Sequence, residues 1–311
     1  MTWSRATEQG FTVWRGGTTE LEVAIVPELG NRVISLRNRQ TGREWMVQPT
    51  GAFDQARYAD SFERRDGSGW DDMFPTINPC RYPDFPWAGT ELPDHGEVWA
   101  LPWEASVSDG ALSCHVHGVR LPYELTKTYT FPREDCLRME YTVRNHSPFP
   151  LSFLWAAHPL FAIEEGMELI VPAGLDQIAV SYSAGGRLGK TGDIRPWPQP
   201  LPDQPELRLD VTAGPDDGTA EKYYFSGALT EGAVSLYHPR TKEGVRLSFP
   251  VEKVPYLAVW ANYGGYRDQY HLALEPATGW LDDVAYAMAR RAAAEAPGRG
   301  AYTWYLELCL E

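Results

Sequence analysis

Apolar and polar residues alternate over much of this chain, and no other feature of the sequence constrains the fold as strongly. Residues 137–143 carry an apolar side chain at every second position, and residues 302–310 repeat the pattern. In an extended strand, a two-residue period places the apolar side chains on one face and the polar ones on the other. Turn-forming clusters such as residues 145–148 separate the runs. We therefore expect an all-β protein in which antiparallel sheets pack face to face.

One segment, residues 281–296, has the pattern of a helix instead. Asp282 and Asp283 lie in its predicted first turn, where negative charge favours the helix dipole, and Pro297–Gly298 would end it. Residues 184–210 are rich in glycine and proline, and they predict a long loop that could border a binding site. Strands resume in the same style on both sides of this loop, so we expect a single domain over residues 1–311.

The charge of the chain narrows the classes of partner. Its net charge is −14, which disfavours a nucleic-acid partner, because binding to a phosphate backbone depends on clustered lysine and arginine. No apolar run has the length or position of a membrane span or a signal peptide. The four cysteines are widely spaced and form no CxxC pair, so we expect reduced thiols and a cytoplasmic protein, either a monomer or a homodimer.

Three residues with acid–base side chains stand on separate strand-like segments. They are His95 in LPDHGEVW, His158 in LWAAHPLF and Glu275 in HLALEPATG. Alternation over residues 270–275 places Glu275 on the face that also carries His271, and Pro276 is expected to end this strand. Such a carboxylate is well placed to line a cleft if the fold brings the three segments together.

These motifs, in this order, resemble those of the aldose 1-epimerase (galactose mutarotase-like) family. The resemblance covers residues 10–310. It includes an opening hairpin, VAIVPELGNRVISLRNRQTGREW, and a proline- and aromatic-rich stretch before His95. At the C-terminal end, a strand, a Glu-Pro pair, a short helix, a Pro-Gly pair and a last strand follow one another as in the family. The resemblance implies a single-domain antiparallel β-supersandwich with one short C-terminal helix, which binds a sugar in its open face.

The resemblance also implies a reaction and roles for individual residues. The reaction is the interconversion of the α and β anomers of an aldose by acid–base ring opening, without a metal or cofactor. Glu275 would be the base at the C1 hydroxyl, and His158 the acid at the ring oxygen. We expect Glu275 to be ionised without a large pKa shift, and a neighbouring carboxylate to raise the pKa of His158. The expected substrate-binding residues are His95, Arg81, Asp72, Glu97 and Trp260.

Two other functions stay open at this point. A non-catalytic sugar-binding or regulatory protein could keep the same residues for hydrogen bonding alone. A sugar-phosphate mutarotase would need a basic cluster near the cleft. Family members that act on hexose phosphates carry an arginine shortly after the histidine–glycine pair, whereas Glu97–Val98–Trp99 follows here, which argues against a phosphate. The loop Asp94–His95–Gly96–Glu97 also lacks the asparagine of members that act on free sugars, so the identity of the sugar stays open.

A separate signal is His115–Val116–His117. Two histidines at positions i and i+2 of a strand point the same way and can bind one metal ion, as in cupin-type sites. A cupin site would also contain a glutamate a few residues later, and Glu124 comes too late for that spacing. We therefore expect an exposed histidine pair, and the metal site remains the alternative.

Overall fold

A computed structural model of the protein describes residues 3–311. Strands dominate it. The first eight are β1 (Ser4–Glu8), β2 (Phe11–Gly17), β3 (Leu21–Val26), β4 (Arg32–Asn38), β5 (Trp70–Met73), β6 (Cys80–Arg81), β7 (Glu91–Leu92) and β8 (Glu104–Ser108). The next eight are β9 (Ala111–His117), β10 (Tyr123–Arg133), β11 (Cys136–Asn145), β12 (Leu151–Phe153), β13 (Ala156–Phe161), β14 (Glu168–Ile170), β15 (Gln177–Ser183) and β16 (Ile194–Pro196).

The remaining strands follow in the C-terminal part of the chain. They are β17 (Thr219–Phe225), β18 (Ala233–His238), β19 (Glu243–Ser248), β20 (Tyr256–Tyr263), β21 (Tyr270–Ala277), β22 (Ala294–Ala296) and β23 (Ala301–Leu310). One α-helix, α1 (Val284–Ala289), lies within the described residues. Short 3₁₀ turns occupy Pro27–Leu29, Phe62–Arg64, Val98–Ala100, Ala184–Gly186 and Pro215–Asp217.

Two antiparallel sheets form the body of the fold. The first sheet has eleven strands in the order β1-β2-β3-β4-β5-β13-β21-β20-β17-β15-β16. The second has eight, in the order β14-β18-β19-β23-β11-β10-β9-β8. Two further pairs, β6-β7 and β12-β22, are small ribbons. This architecture confirms the predicted antiparallel supersandwich with one short helix near the C-terminus.

Burial explains why the strands of the two sheets differ in sequence pattern. Along β10, buried and half-exposed residues alternate, because only its inner face meets the first sheet. Strands β13 and β21 of the first sheet are buried at nearly every position. Their inner faces supply Phe161 and Leu272 to the core between the sheets, while their outer faces carry polar side chains that line a cavity. In this protein, strands that are buried on both faces belong to an antiparallel sheet, because the core covers one face and the other face lines the cavity.

The helix is shorter than the sequence predicts. Asp283 caps its first turn by accepting a hydrogen bond from the backbone N–H of Tyr286, as expected of an N-cap aspartate. The helix ends at Ala289, and Arg291 adopts a left-handed conformation with φ of 56°. Residues Ala294–Ala296 then pair with β12 as a strand. The expected helical end over these residues was wrong, because strand pairing overrides the local propensity of an alanine-rich segment.

The expected end of β21 at Pro276 was also wrong. The strand continues through Pro276, which lies opposite Leu257 of β20, and reaches Ala277. The loop over residues 184–210 contains the short strand β16, which pairs with β15. No residue of that loop lines the cavity in the part of the chain that the structure describes; the preceding Ser181 and Tyr182 do.

The prediction of four free thiols was wrong as well. Cys136 and Cys309 form a disulfide, whereas Cys80 and Cys114 are free. The two bonded cysteines are directly opposite each other on β11 and β23, with 4.1 Å between their Cα atoms. Their wide sequence separation concealed this pairing. Across residues 3–311, the structure has no helix with the length and apolar character needed to cross a membrane.

Candidate active site

The polar outer face of the first sheet carries a cavity of about 330 Å³. Five neighbouring strands of this sheet supply its floor, and the loops before Trp70 and around His95 supply its walls. Three of the residues singled out in the sequence line it together: His95, His158 and Glu275. The fold thus brings the three separate motifs to one place.

His158 and Glu275 face each other on adjacent strands. The pairing of β13 with β21 matches Ala156 with Ala277 and Leu160 with Ala273, and the two site residues lie between these pairs. His158 Nε2 lies 4.0 Å from Glu275 Oε1, and both side chains are almost fully buried. Within residues 3–311, neither Nδ1 of His158 nor Oε1 of Glu275 has a hydrogen-bond partner. Buried polar atoms are rarely left unpaired, so both atoms lack a partner that the described residues do not supply.

A lysine that the sequence analysis missed completes this group. Lys222 Nζ lies 2.8 Å from Glu275 Oε2 and 3.1 Å from Asp282 Oδ1. Asp282 is held in turn by hydrogen bonds from the hydroxyls of Tyr224 and Ser181. Burial would lower the pKa of Lys222, but the charges of Asp282 and Glu275 outweigh burial and raise that pKa. The lysine is therefore a fixed positive charge beside the carboxylate.

Burial also governs the protonation of the two facing groups. It raises the pKa of Glu275 to about 7, although Lys222 opposes this rise. It lowers the pKa of His158 well below the ordinary value, and positive charge on His95 and Lys222 lowers it further. Both directions contradict the expectations from the sequence. The neighbouring carboxylate of Glu275 does not keep the pKa of His158 at its ordinary value, because the loss of hydration of the buried ring is the larger effect.

His95 is positioned by its loop. Its backbone has a φ of 57°, and its N–H donates to the carbonyl of Ile77 at 2.6 Å. The ring stacks on Phe62 with 4.1 Å between centroids, and Nδ1 lies 2.9 Å from Asp94 Oδ1. The ring centroids of His95 and His158 are 5.5 Å apart. The histidine therefore presents Nε2 as its free ring nitrogen next to His158.

Aromatic side chains lie together on one side of the cavity. Trp260 lines the cavity, with Tyr182 and Tyr266 at ring-centroid distances of 5.8 and 5.7 Å. The indole N–H of Trp260 donates to Nε2 of His271 at 2.9 Å. Burial lowers the pKa of His271 to about 4, so this ring is neutral and accepts that bond. Such ring faces offer the stacking surface on which the C–H faces of a sugar bind.

Three of the expected binding residues lie elsewhere. Asp72 points into the core between the sheets, where it accepts hydrogen bonds from Lys127 Nζ at 2.7 Å and from Tyr141 and Trp155 at 3.1 Å. Its neighbour Asp71 faces the cavity side, because successive side chains of β5 alternate between the two faces. The expectation that Asp72 binds the substrate was therefore wrong, because its side chain lies on the core face of β5.

Glu97 and Arg81 are also outside the cavity lining. Glu97 is buried and accepts hydrogen bonds from the hydroxyls of Tyr58 and Tyr123, which tie surrounding loops together. Arg81 is exposed on β6 and pairs with Glu91 at 2.9 Å. Two other arginines line the cavity, Arg65 and Arg267, and the guanidinium of Arg65 lies 3.2 Å from Asp71.

Some of the missed residues left a signal in the sequence. Lys222 stands between Ala220 and Tyr224, which occupy the same face of β17 and are fully buried. A lysine on an otherwise apolar face indicates either a buried ion pair or a site. Arg65 and Asp282 left no comparable signal, because both come from irregular segments whose direction only the folded chain fixes.

No protein-family model and no curated protein matches this chain. Solved structures do match it. A galactose mutarotase-like protein from Lactobacillus casei ATCC 334 aligns with a TM-score of 0.71 at 19% identity, covering 96% of this chain and 100% of that one. A galactose mutarotase-like protein from Clostridium acetobutylicum aligns with a TM-score of 0.70 at 13% identity, covering 100% of this chain and 98% of that one.

A third match extends the comparison to an animal protein. The GalM/aldose epimerase homologue from C. elegans aligns with a TM-score of 0.60 at 11% identity, covering 95% of this chain and 97% of that one. Alignments that span nearly the whole of both chains at such low identity establish the fold, while activity and substrate need separate evidence. The chain has the galactose mutarotase-like fold, as the resemblance in its sequence predicts.

Proposed function

We propose that this protein interconverts the α and β anomers of an aldose. The observation that carries the proposal is the facing pair of Glu275 and His158, 4.0 Å apart at the floor of a cavity, each with an unpaired polar atom. A carboxylate and an imidazole in this relation can exchange protons with two neighbouring oxygens of one ligand. The C1 hydroxyl and the ring oxygen of a pyranose are such a pair of oxygens.

Glu275 takes the proton of the C1 hydroxyl, and His158 gives a proton to the ring oxygen. The bond between C1 and the ring oxygen then breaks, which leaves an open-chain aldehyde. Rotation about the bond between C1 and C2, followed by the reverse proton transfers, closes the ring with the other configuration. Each positioned proton transfer typically contributes on the order of a hundredfold or more.

The charges around the cavity favour a neutral sugar over a sugar phosphate. Lys222 is already paired with two carboxylates, and Arg65 with Asp71. The wall also carries Glu63 and Asp94. A phosphate dianion would have to compete with these internal partners for Lys222 and Arg65; a further cavity-lining arginine, Arg267, donates to the backbone carbonyl of Arg65 and has no carboxylate partner among residues 3–311. An uncharged pyranose needs only hydrogen-bonding groups and an aromatic wall, both of which are present.

One observation favours a different function, that of a non-catalytic sugar-binding protein. Burial keeps the pKa of His158 well below its ordinary value, so the imidazole of the free protein is neutral and has no extra proton to give. Such a protein would bind a pyranose through the same cavity and leave its anomeric equilibrium untouched.

Anomer exchange measured on a panel of neutral aldohexoses and aldopentoses separates these functions. We expect the protein to accelerate the approach of a pure anomer to equilibrium, followed by polarimetry or by NMR exchange spectroscopy. A sugar that binds without any exchange above the uncatalysed rate would instead establish the binding protein. Acceleration confined to sugar phosphates would contradict the argument from charge.

A further inference from the structure

Three side chains that commonly bind metal ions lie together on the outer face of the second sheet, and none of them lines the cavity. They are His117 at the end of β9, Glu124 on β10, and His146 directly after β11. We propose that these three residues bind one divalent first-row transition-metal ion, such as Zn²⁺. Each offers one ligand atom within 4.8 Å of the other two.

The distances between individual side chains support this grouping. His117 Nε2 lies 3.6 Å from Glu124 Oε2, and the ring centroids of His117 and His146 are 6.1 Å apart. Zinc bonds to imidazole nitrogen and carboxylate oxygen measure about 2.0–2.2 Å, which places the ligand atoms of a tetrahedral ion about 3.4 Å apart. His117 and Glu124 are already close to this separation, and no pair of ligand atoms needs to close by more than about 1.4 Å. The ring of His117 is 62% exposed, and His146 is exposed as well, so both can rotate to do this.

The backbone beneath the three residues is fixed by hydrogen bonds. His117 and Glu124 are directly opposite each other in the β9–β10 ladder. The N–H of His146 donates to the carbonyl of Pro122 at 2.9 Å. Asn145 anchors the preceding position, since its side-chain amide donates to the carbonyl of Phe149 at 2.7 Å. The three ligands therefore project from fixed positions, and little backbone entropy is lost on binding.

The chemistry of the set selects the class of ion. Two imidazoles and one carboxylate suit zinc, copper or nickel, whereas calcium and magnesium prefer oxygen ligands alone. Three protein ligands leave room for water at the remaining position of a tetrahedral ion. The i, i+2 pair noted in the sequence is not this site, because His115 faces Glu104 at 3.6 Å instead. His115 is thus a matched control on the same strand and the same face.

The test is a titration of the full chain with Zn²⁺, followed by calorimetry in a buffer that does not bind metal. We expect one ion per chain at this site. His117→Ala and His146→Ala should each weaken binding by about tenfold or more, since even second-shell changes cost that much in metal affinity. His115→Ala should leave the affinity unchanged. Circular dichroism without metal checks that each variant is folded, which we expect because all three side chains are exposed or half-exposed.

Three outcomes would overturn the proposal. The first is the absence of stoichiometric binding to the wild-type chain. The second is an unchanged affinity in both His117→Ala and His146→Ala. The third is an equal loss of affinity in His115→Ala and His117→Ala with none in His146→Ala, which would place the ion at the i, i+2 pair.

Discussion

Lys222 Nζ lies 2.8 Å from Glu275 Oε2, and its ammonium also contacts Asp282. When both carboxylates are ionised, the single ammonium group leaves Lys222, Glu275 and Asp282 with a net charge of −1. The lysine lowers the proton affinity of Glu275 while burial and Asp282 raise it. The result of these opposing effects is a carboxyl group that titrates near neutral pH, where a proton can both leave and return.

The first prediction concerns Glu275. Glu275→Gln keeps the size of the side chain and its ability to form hydrogen bonds, but an amide does not accept a proton at neutral pH. Sugar affinity should stay within about tenfold of the wild type, or about 1.4 kcal/mol. Anomer exchange should fall by about a hundredfold or more. Calorimetry and exchange NMR measure the two quantities, and wild-type exchange in this variant would mean that another carboxylate is the base.

The second prediction separates the two histidines. His158→Asn removes the group that serves the ring oxygen, so exchange should fall by about a hundredfold or more, with little change in affinity. His95→Asn should weaken sugar binding more than turnover, because His95 stacks on Phe62 at the side of the facing pair. A comparison of kcat and KM for both variants tests this. The reverse division, with His95 controlling kcat, would exchange the two roles.

The sequence predicted the class of fold for a physical reason. The two-residue period of strands such as β10 reports which face is buried, and it does not depend on the partner strand. His158 and Glu275 lie on strand-like segments, but their selection as an acid–base pair rested on the family resemblance. The choice of the loop histidine, His95, rested on the same resemblance, since a turn histidine alone does not indicate a site.

The errors have equally physical causes. Asp72 and Asp71 occupy opposite faces of β5, and composition alone cannot say which face looks into the cavity. Cys136 and Cys309 became partners only through strand pairing across a long stretch of sequence. Residues 294–296 favour a helix locally, but pairing with β12 outweighs that preference. All of these outcomes depend on contacts between segments far apart in the chain.

The third prediction concerns pH. The proposed step needs one proton on the pair, carried by His158 while Glu275 is ionised. Because the pKa of Glu275 is raised to about 7 and that of His158 is lowered, the pair should lose its last proton as the pH rises through about 7. The apparent pKa values belong to the pair as a whole. We therefore expect kcat/KM, corrected for the uncatalysed rate, to decline above about pH 7.

On the acid side, kcat/KM should decline only when the pair gains its second proton, below the ordinary pKa of histidine. A profile that rises through pH 7 to a plateau would contradict this assignment. It would mean that ionised Glu275 acts without any proton on His158.

The fourth prediction tests Lys222 as a positioning residue. Lys222→Met removes the charge that lowers the pKa of Glu275, so Glu275 should hold its proton to higher pH. The alkaline limb of kcat/KM should therefore move to higher pH. Lys222→Arg retains the charge and should keep the limb near its wild-type position. An unshifted limb in Lys222→Met, in a variant that circular dichroism shows to be folded, would limit Lys222 to a structural role.

The fifth prediction concerns Asp72, which the structure places in the core with Lys127. Asp72→Asn leaves the Lys127 ammonium buried without its counter-charge, and breaking a buried ion pair typically costs about 3–5 kcal/mol. Chemical denaturation should show a loss of this size in the free energy of unfolding. The double variant with Lys127→Met removes the unpaired charge as well, so it should recover much of that loss.

Sugar affinity of the folded protein should stay unchanged in both variants, because neither side chain lines the cavity. A weaker affinity in Asp72→Asn with unaltered stability would instead return Asp72 to the sugar site.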